Sequence, residues 1–163
     1  MQPKNINKQQ PNSSVDLLTA ILIEYPAINK VTLNNSTLNL FFLVQRNIMQ
    51  KEWDEKFKSI QQQFRVFNKL EGYKNCYLEI TKENYKDLTK IKLSSKLKQL
   101  NAEKIRIIVT IFKRLFSSEL LQEKSNSYQN RSTSLKELLK VAENENINNY
   151  LAYKVRNKIF IYG

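Results

Sequence analysis

Histidine is missing from the chain altogether, glycine occurs twice and cysteine once, and each shortage removes a class of chemistry. Without histidine there is no general base titrating near neutral pH, no imidazole zinc ligand, and no Ser-His or Cys-His nucleophile pair. With Gly72 and Gly163 as the two glycines, neither a phosphate-binding P-loop, nor a dinucleotide fingerprint, nor the clamp loop of a KH domain can be assembled. Cys76 has no second cysteine to pair with, and its apolar surroundings read as those of a buried thiol in a reducing compartment. Long apolar runs are missing too. The longest, around residues 105–112, is interrupted by Arg106, and none reaches the roughly 18 residues that a membrane-spanning helix requires. The run at 17–23 follows Lys4 and Lys8 but lacks a small-residue cleavage pattern, so a capped helix is expected there in place of a signal peptide.

The 163 residues are 41% hydrophobic and 26% charged, a composition that folds as one domain. Residues 1–13, rich in Asn, Gln, Lys and Pro, read as a disordered leader, and 14–163 as the domain. The excess of 27 Lys and Arg over 15 Asp and Glu gives a formal charge of +12, which points toward polyanions. A second origin for that charge is present. Lys, Asn and Ile, whose codons are rich in A and T, number 21, 19 and 15, and only 6 of the basic residues are Arg, the type that grips phosphates in two-point contact.

Periodicity outlines an α+β fold. Ser13-Ser14-Val15-Asp16 has capping-box form ahead of Leu17, Leu18, Ile21, Leu22 and Tyr25, and Pro26 ends that helix. Val31 and Leu33, the polar turn Asn34-Asn35-Ser36, and the run at 38–44 predict a hairpin, its second strand apolar on both faces and so central or covered on both sides. Trp53, Phe57, Ile60, Phe64 and Phe67 recur at helical spacing within residues 47–70, with Gly72 as a stop, which assigns Trp53 to the core. A second strand pair is expected at 76–80 and 89–93, separated by a polar loop at 81–87. Asn101 then caps a helix whose apolar face carries Ile105, Ile108, Val109, Phe112, Leu115 and Phe116. The succession strand, strand, helix thus occurs twice, as topology without residue repetition. Residues 117–133 read as a long polar loop. Ser134-Leu135-Lys136-Glu137 opens a short helix to about Glu145, and a terminal hairpin turns at Arg156-Asn157. The sum is a two-layer arrangement of antiparallel hairpins, about six strands, packed against about four helices.

Glu52, Asp54 and Glu55 cluster at one helix end, where carboxylates bind Mg²⁺ or move protons. The same position favours acids for the helix dipole alone, and interleaved lysines pair with them. No catalytic constellation and no cofactor are expected. Residues 82–114 hold ten basic side chains against three acidic ones. Within them Lys90, Lys92, Lys96, Lys98, Arg106 and Lys113 form the candidate surface for a nucleic-acid backbone, although alternating lysines also guard a strand edge. Tyr150, Tyr153, Phe160 and Tyr162 lie among Lys154, Arg156 and Lys158, a mixture with the composition of an RNA-stacking surface. Spacing and element order do not match an RRM, and aromatics on a short sheet are more often packed.

Leu22-Ile23-Glu24-Tyr25-Pro26-Ala27-Ile28, Leu38-Asn39-Leu40-Phe41-Phe42-Leu43 and Leu151-Ala152-Tyr153-Lys154 resemble segments of small hypothetical proteins of low-GC Gram-positive bacteria. That resemblance implies a bacterial cytoplasmic protein and assigns no activity and no site residue. The reading that follows is a non-enzymatic binding or assembly module contacting RNA or DNA, RNA favoured, through a basic surface. The alternative is a protein-interaction domain whose charge is compositional.

Overall fold

The computed structural model describes residues 13–74, 78–125, 134–143 and 149–163. Its elements run α1 (Ser13–Glu24), β1 (Lys30–Asn34), β2 (Thr37–Val44), α2 (Gln50–Leu70), β3 (Glu79–Tyr85), β4 (Leu88–Lys96), α3 (Ala102–Phe116), α4 (Leu135–Glu143), β5 (Tyr150–Val155) and β6 (Lys158–Tyr162). All six strands join one antiparallel sheet in the order β3-β4-β2-β1-β5-β6, so the expected α+β class holds. The two strand-strand-helix blocks meet along β2 and β4, and their helices α2 and α3 pack on each other.

Alternation decides which face is covered. Val31, Leu33, Leu40, Phe42, Ile91 and Leu93 point to one side and are buried with the helices. Phe42 stacks on Phe112 of α3 with centroids 4.2 Å apart and planes 12° from parallel. The first helix is buried on nearly every side, lying against β1, β5 and α4. On α2 the aromatic stripe faces inward and Trp53 is buried, in agreement with its assignment to the core. Gly72, at φ 72°, follows that helix in the left-handed conformation that L side chains disfavour. The Asn101 side chain accepts from Lys104 N at 2.8 Å and caps α3.

One expected loop is a strand. Residues 81–85 continue β3, and a two-residue connection, Lys86-Asp87, leads into β4. An edge strand pairs on one side only and needs no apolar face, so polar residues hid it. Its Lys82 and Asn84 reach the Ile48 carbonyl, at 3.1 and 3.3 Å. Of the polar segment at 117–133, residues 117–119 form a 3₁₀ turn, Leu120 bridges to Val44, and Leu121 and Glu123 donate to the carbonyls of Leu43 and Pro26. Residues 126–133 lie outside the described residues, as do residues 1–12 of the leader, Cys76 and Glu145, while Ser13, expected to close the leader, opens α1. Ser134 Oγ accepts from Glu137 N at 3.3 Å, the cap foreseen for α4.

Lys154 points into the helix layer, and its ammonium reaches four carbonyls: Leu22 at 3.0 Å, Tyr25 at 3.3 Å, Pro26 at 3.2 Å and Glu123 at 2.9 Å. Burial pushes its pKa down to about 8 from an ordinary 10.5, with the Glu123 carboxylate acting in the opposite sense. Turns are economical elsewhere. Asn35 and Ser36 both have positive φ, 46° and 68°, as do Arg156 and Asn157, at 50° and 66°, the type I′ geometry whose twist matches the strands.

Two stability outcomes follow from these contacts. Replacing Ser36 by Gly makes the turn Asn-Gly and relieves a left-handed L residue, so the urea midpoint should rise by an amount worth about 1 kcal/mol; an unchanged or lower midpoint would contradict that account. Lys154→Met should cost about 2 kcal/mol at pH 7, because the buried Leu22 carbonyl and the part-buried Glu123 carbonyl lose the ammonium, while Tyr25 O and Pro26 O keep the backbone N–H groups of Ile28 and Glu123. Between pH 8 and about 10 the unfolded chain holds this proton and the folded chain does not. The wild type should therefore gain up to about 1.4 kcal/mol per pH unit relative to Lys154→Met. The neutral amine keeps two donors for the same carbonyls. Urea titrations of both proteins from pH 7 to 10 check this, and a gap independent of pH would refute the burial of a titrating amine.

Candidate nucleic-acid interface

The face of the sheet opposite the helices is read directly from the register. One row crosses all six strands: Thr81, Lys92, Phe41, Lys30, Tyr153, Phe160. A neighbouring row runs Glu79, Ser94, Asn39, Thr32, Leu151, Tyr162. Flanking these, Lys90 lies opposite Leu43, Lys96 opposite Thr37, and Lys158 opposite Val155.

Among the described residues Phe41 is the one buried apolar side chain outside the main core. It is 9% exposed beneath lysine stems, with Lys30 Nζ 4.7 Å and Lys90 Nζ 5.9 Å from its ring centroid. Aliphatic stems covering an aromatic while their ammonium groups remain in water is the familiar behaviour of lysine on an apolar surface. The expectation that this strand is central holds; the lysines take the place of a second layer of helices. Among the described residues neither Lys30 nor Lys92 has a carboxylate partner, and Lys90 meets Glu83 at 3.4 Å in an exposed pair. Such a pair in water holds its partners weakly. Both acids of this face, Glu79 and Glu83, stand on the β3 margin, which leaves the middle and the β6 side positive.

Toward β6 the face becomes aromatic. Tyr153 lies between Phe160, with centroids 5.5 Å apart and planes at 20°, and Tyr162, at 5.9 Å and 8°. The Tyr153 and Tyr162 hydroxyls are 3.3 Å apart, and that hydrogen bond raises the Tyr153 pKa. Phe160 is 41% and Tyr162 58% exposed, so these aromatics present ring surface to solvent instead of packing inward. Between the lysines and the rings, Asn39 donates to Thr32 Oγ1 at 2.9 Å and accepts from Ser94 at 2.5 Å, a polar strip satisfied within itself.

The six sequence candidates divide. Lys90, Lys92 and Lys96 share the open face. Lys98 sits beyond it in the 3₁₀ turn Leu97–Gln99. Arg106 and Lys113 are exposed on the flank of α3 turned away from the sheet, on the far side of the molecule from Lys90. A helix that packs one face on the sheet shows its charges to the other side, and sequence proximity to a strand does not change that. Lys154, grouped in the sequence with Arg156 and Lys158, is turned into the interior, and Lys104 is buried over the Tyr73 ring with its ammonium on Gln99 O. The residues that reading by charge density missed are Lys30 and Phe41. Their signal was the odd-numbered positions of 37–44 and a lysine entering the preceding strand, which only pairing brings together.

The acid cluster on α2 is occupied otherwise. The Arg46 guanidinium pairs with Glu52 and with Glu119, and Arg46 holds the Glu52 carboxyl below its usual range. Asp54 accepts from Gln50 at 2.8 Å. Among the described residues no group of three or more His, Cys, Asp or Glu is placed to hold a metal ion, and no helix is long and apolar enough to cross a membrane. Comparison of the chain with protein-family models, curated proteins and solved structures finds no match.

Proposed function

We propose that this protein is a non-catalytic module that binds single-stranded nucleic acid, RNA foremost, on the open face of its sheet. The observation that carries the reading is the row Lys92, Phe41, Lys30, Tyr153, Phe160, in which two cations for phosphates, flanking the covered Phe41, are followed by two rings for bases across five adjacent strands. A single strand offers both partners at once, since its bases are free to stack on tyrosine and phenylalanine while its phosphates follow the lysines. Duplexes keep their bases stacked on one another and would use the lysines alone. Lysine is a point charge without a planar fork, which suits backbone contact more than base reading, so binding with little sequence preference is expected. A bacterial cytoplasm suits this activity and agrees with the lone cysteine and with the resemblance noted in the sequence.

The test is fluorescence anisotropy with a mixed-sequence single-stranded RNA and its duplex form across a salt series. Lys30→Gln combined with Lys92→Gln should weaken binding and flatten the slope of log affinity against log salt by about 1.4, two phosphate contacts on a single strand. Tyr153→Leu should weaken it by about tenfold, one lost stacking contact, while leaving the salt slope unchanged. Arg106→Gln with Lys113→Gln, on the helix side, should leave the open-face contacts intact and change affinity no more than neutralising two distant charges does. Equal affinity for the duplex, or a larger loss from the helix-side pair than from Lys30 and Lys92, would refute the open face as the interface.

A further inference from the structure

The terminal hairpin brings two tyrosines together on the open face. Tyr153 stands opposite Phe160 and Leu151 opposite Tyr162, so Tyr153 and Tyr162 are diagonal neighbours across β5 and β6, within reach of each other as aromatic side chains. Their rings lie 8° from parallel with centroids 5.9 Å apart, and their hydroxyl oxygens are 3.3 Å apart. The approach is therefore closest at the hydroxyl ends, where the ortho carbons that couple in dityrosine lie. Tyr162 is 58% exposed and open to a dissolved oxidant. Phe160 stacks on Tyr153 as well, at 5.5 Å, but a ring without a hydroxyl gives no phenoxyl radical, which leaves Tyr162 as the ring to couple with. From this geometry we propose that Tyr153 and Tyr162 are a site of oxidative modification, at which a one-electron oxidant joins the two rings of one chain as dityrosine and locks β5 to β6.

One equivalent of oxidant takes an electron from Tyr162, whose phenolic proton passes to water, and leaves a phenoxyl radical. A second equivalent removes an electron and a proton from Tyr153 in the same way. The two unpaired electrons then form a carbon–carbon bond between ortho positions, and the hydrogens on those carbons move to the oxygens as the rings regain aromaticity. Two electrons and two protons leave in all. The oxidant accepts the electrons, whether it is the oxidised haem of a peroxidase or a photo-oxidised ruthenium complex, and the product is lighter by two hydrogens. The hydroxyl contact favours this order. It raises the Tyr153 pKa, as expected where Tyr153 donates and Tyr162 accepts, and an accepted hydrogen bond stabilises a radical on the Tyr162 oxygen until the second oxidation. Rings held as neighbours react as one molecule, ahead of any encounter between chains. The inference needs neither ligand nor partner chain and stands apart from nucleic-acid binding.

Photo-oxidation of the full chain, free of nucleic acid, with a ruthenium complex and persulfate tests it, read by dityrosine fluorescence and by mass mapping of the linked peptides. The expected product joins residues 153 and 162 within one chain, at a yield that does not change with protein concentration. Tyr162→Phe keeps a ring in the stack and removes only the phenol, and should abolish this link. Tyr85→Phe should leave it intact, although Tyr85, 63% exposed, meets the oxidant as freely as Tyr162. Because the two residues lie nine apart in the chain, the unfolded protein can join them too, and urea supplies the control. Of all dityrosine formed among the eight tyrosines, the share linking 153 to 162 should fall severalfold once the chain is unfolded. A share as large in urea as in the folded protein, an undiminished yield in Tyr162→Phe, or coupling between chains alone would overturn the inference.

Discussion

The Lys154 ammonium joins the end of the first helix to β5 and to the segment that leaves α3. The first helix ends at Glu24 with no basic residue in its last turn, so its final carbonyls, like those of any helix end, lack partners within the helix. Here Leu22 and Tyr25 are buried, and a donor to their carbonyls comes from the protein. It comes from β5, 132 residues away from Leu22 in sequence. The same group binds Glu123 O, which anchors the segment that leaves α3, and the Lys154 backbone N–H donates to Asn29 O at 2.9 Å. Helix, returning segment, the residue that leads into β1, and β5 are therefore tied at one residue.

That tie also fixes the open face. In a strand a residue directed inward obliges its neighbours to point outward, so Lys154 in the carbonyl cage commits Tyr153 to the opposite side, across from Lys30. Tyr153 in turn is the middle ring of the ladder with Phe160 and Tyr162. A one-residue slip of β5 would bring the ammonium out and send Tyr153 and Leu151 inward, and the Leu22 and Glu123 carbonyls would lose the ammonium as donor. The cost of that slip makes the aromatic arrangement a consequence of the cage, and the ladder needs little stabilisation of its own.

Where side-chain pattern is dictated by burial, the sequence was informative. The stripe from Trp53 to Phe67, the Asn101 cap, the three hairpins and the Ser134 cap all rest on contacts that recur at fixed spacing along a single segment. The β3 extension was illegible because an edge strand of Thr, Lys, Glu, Asn and Tyr satisfies its backbone through β4 without any apolar signal. The candidate interface was half legible for a related reason. Lys90, Lys92 and Lys96 alternate within one strand and announce a face. Lys30 and Phe41 belong to that face only through pairing, and nothing local distinguishes Lys154, which is caged, from Lys158, which is free to meet solvent.

The distribution of charge carries the same lesson further. An excess of lysine spread by composition would fall on any solvated position, and much of it does, on the outer flank of α3 for example. The open sheet face is different because its lysines have structural work as well. A sheet with helices on one side must keep the other side wet, yet β2 places Phe41 and Leu43 there. Lysine resolves the conflict by laying its stem on the ring and its ammonium in water, and the two stems over Phe41 come from strands on either side of it, β1 and β4. A surface built in this way carries positive charge held over an apolar floor, beside exposed rings. This combination, more than the net charge of the chain, is what the proposed binding of a ligand with both anionic and planar groups rests on.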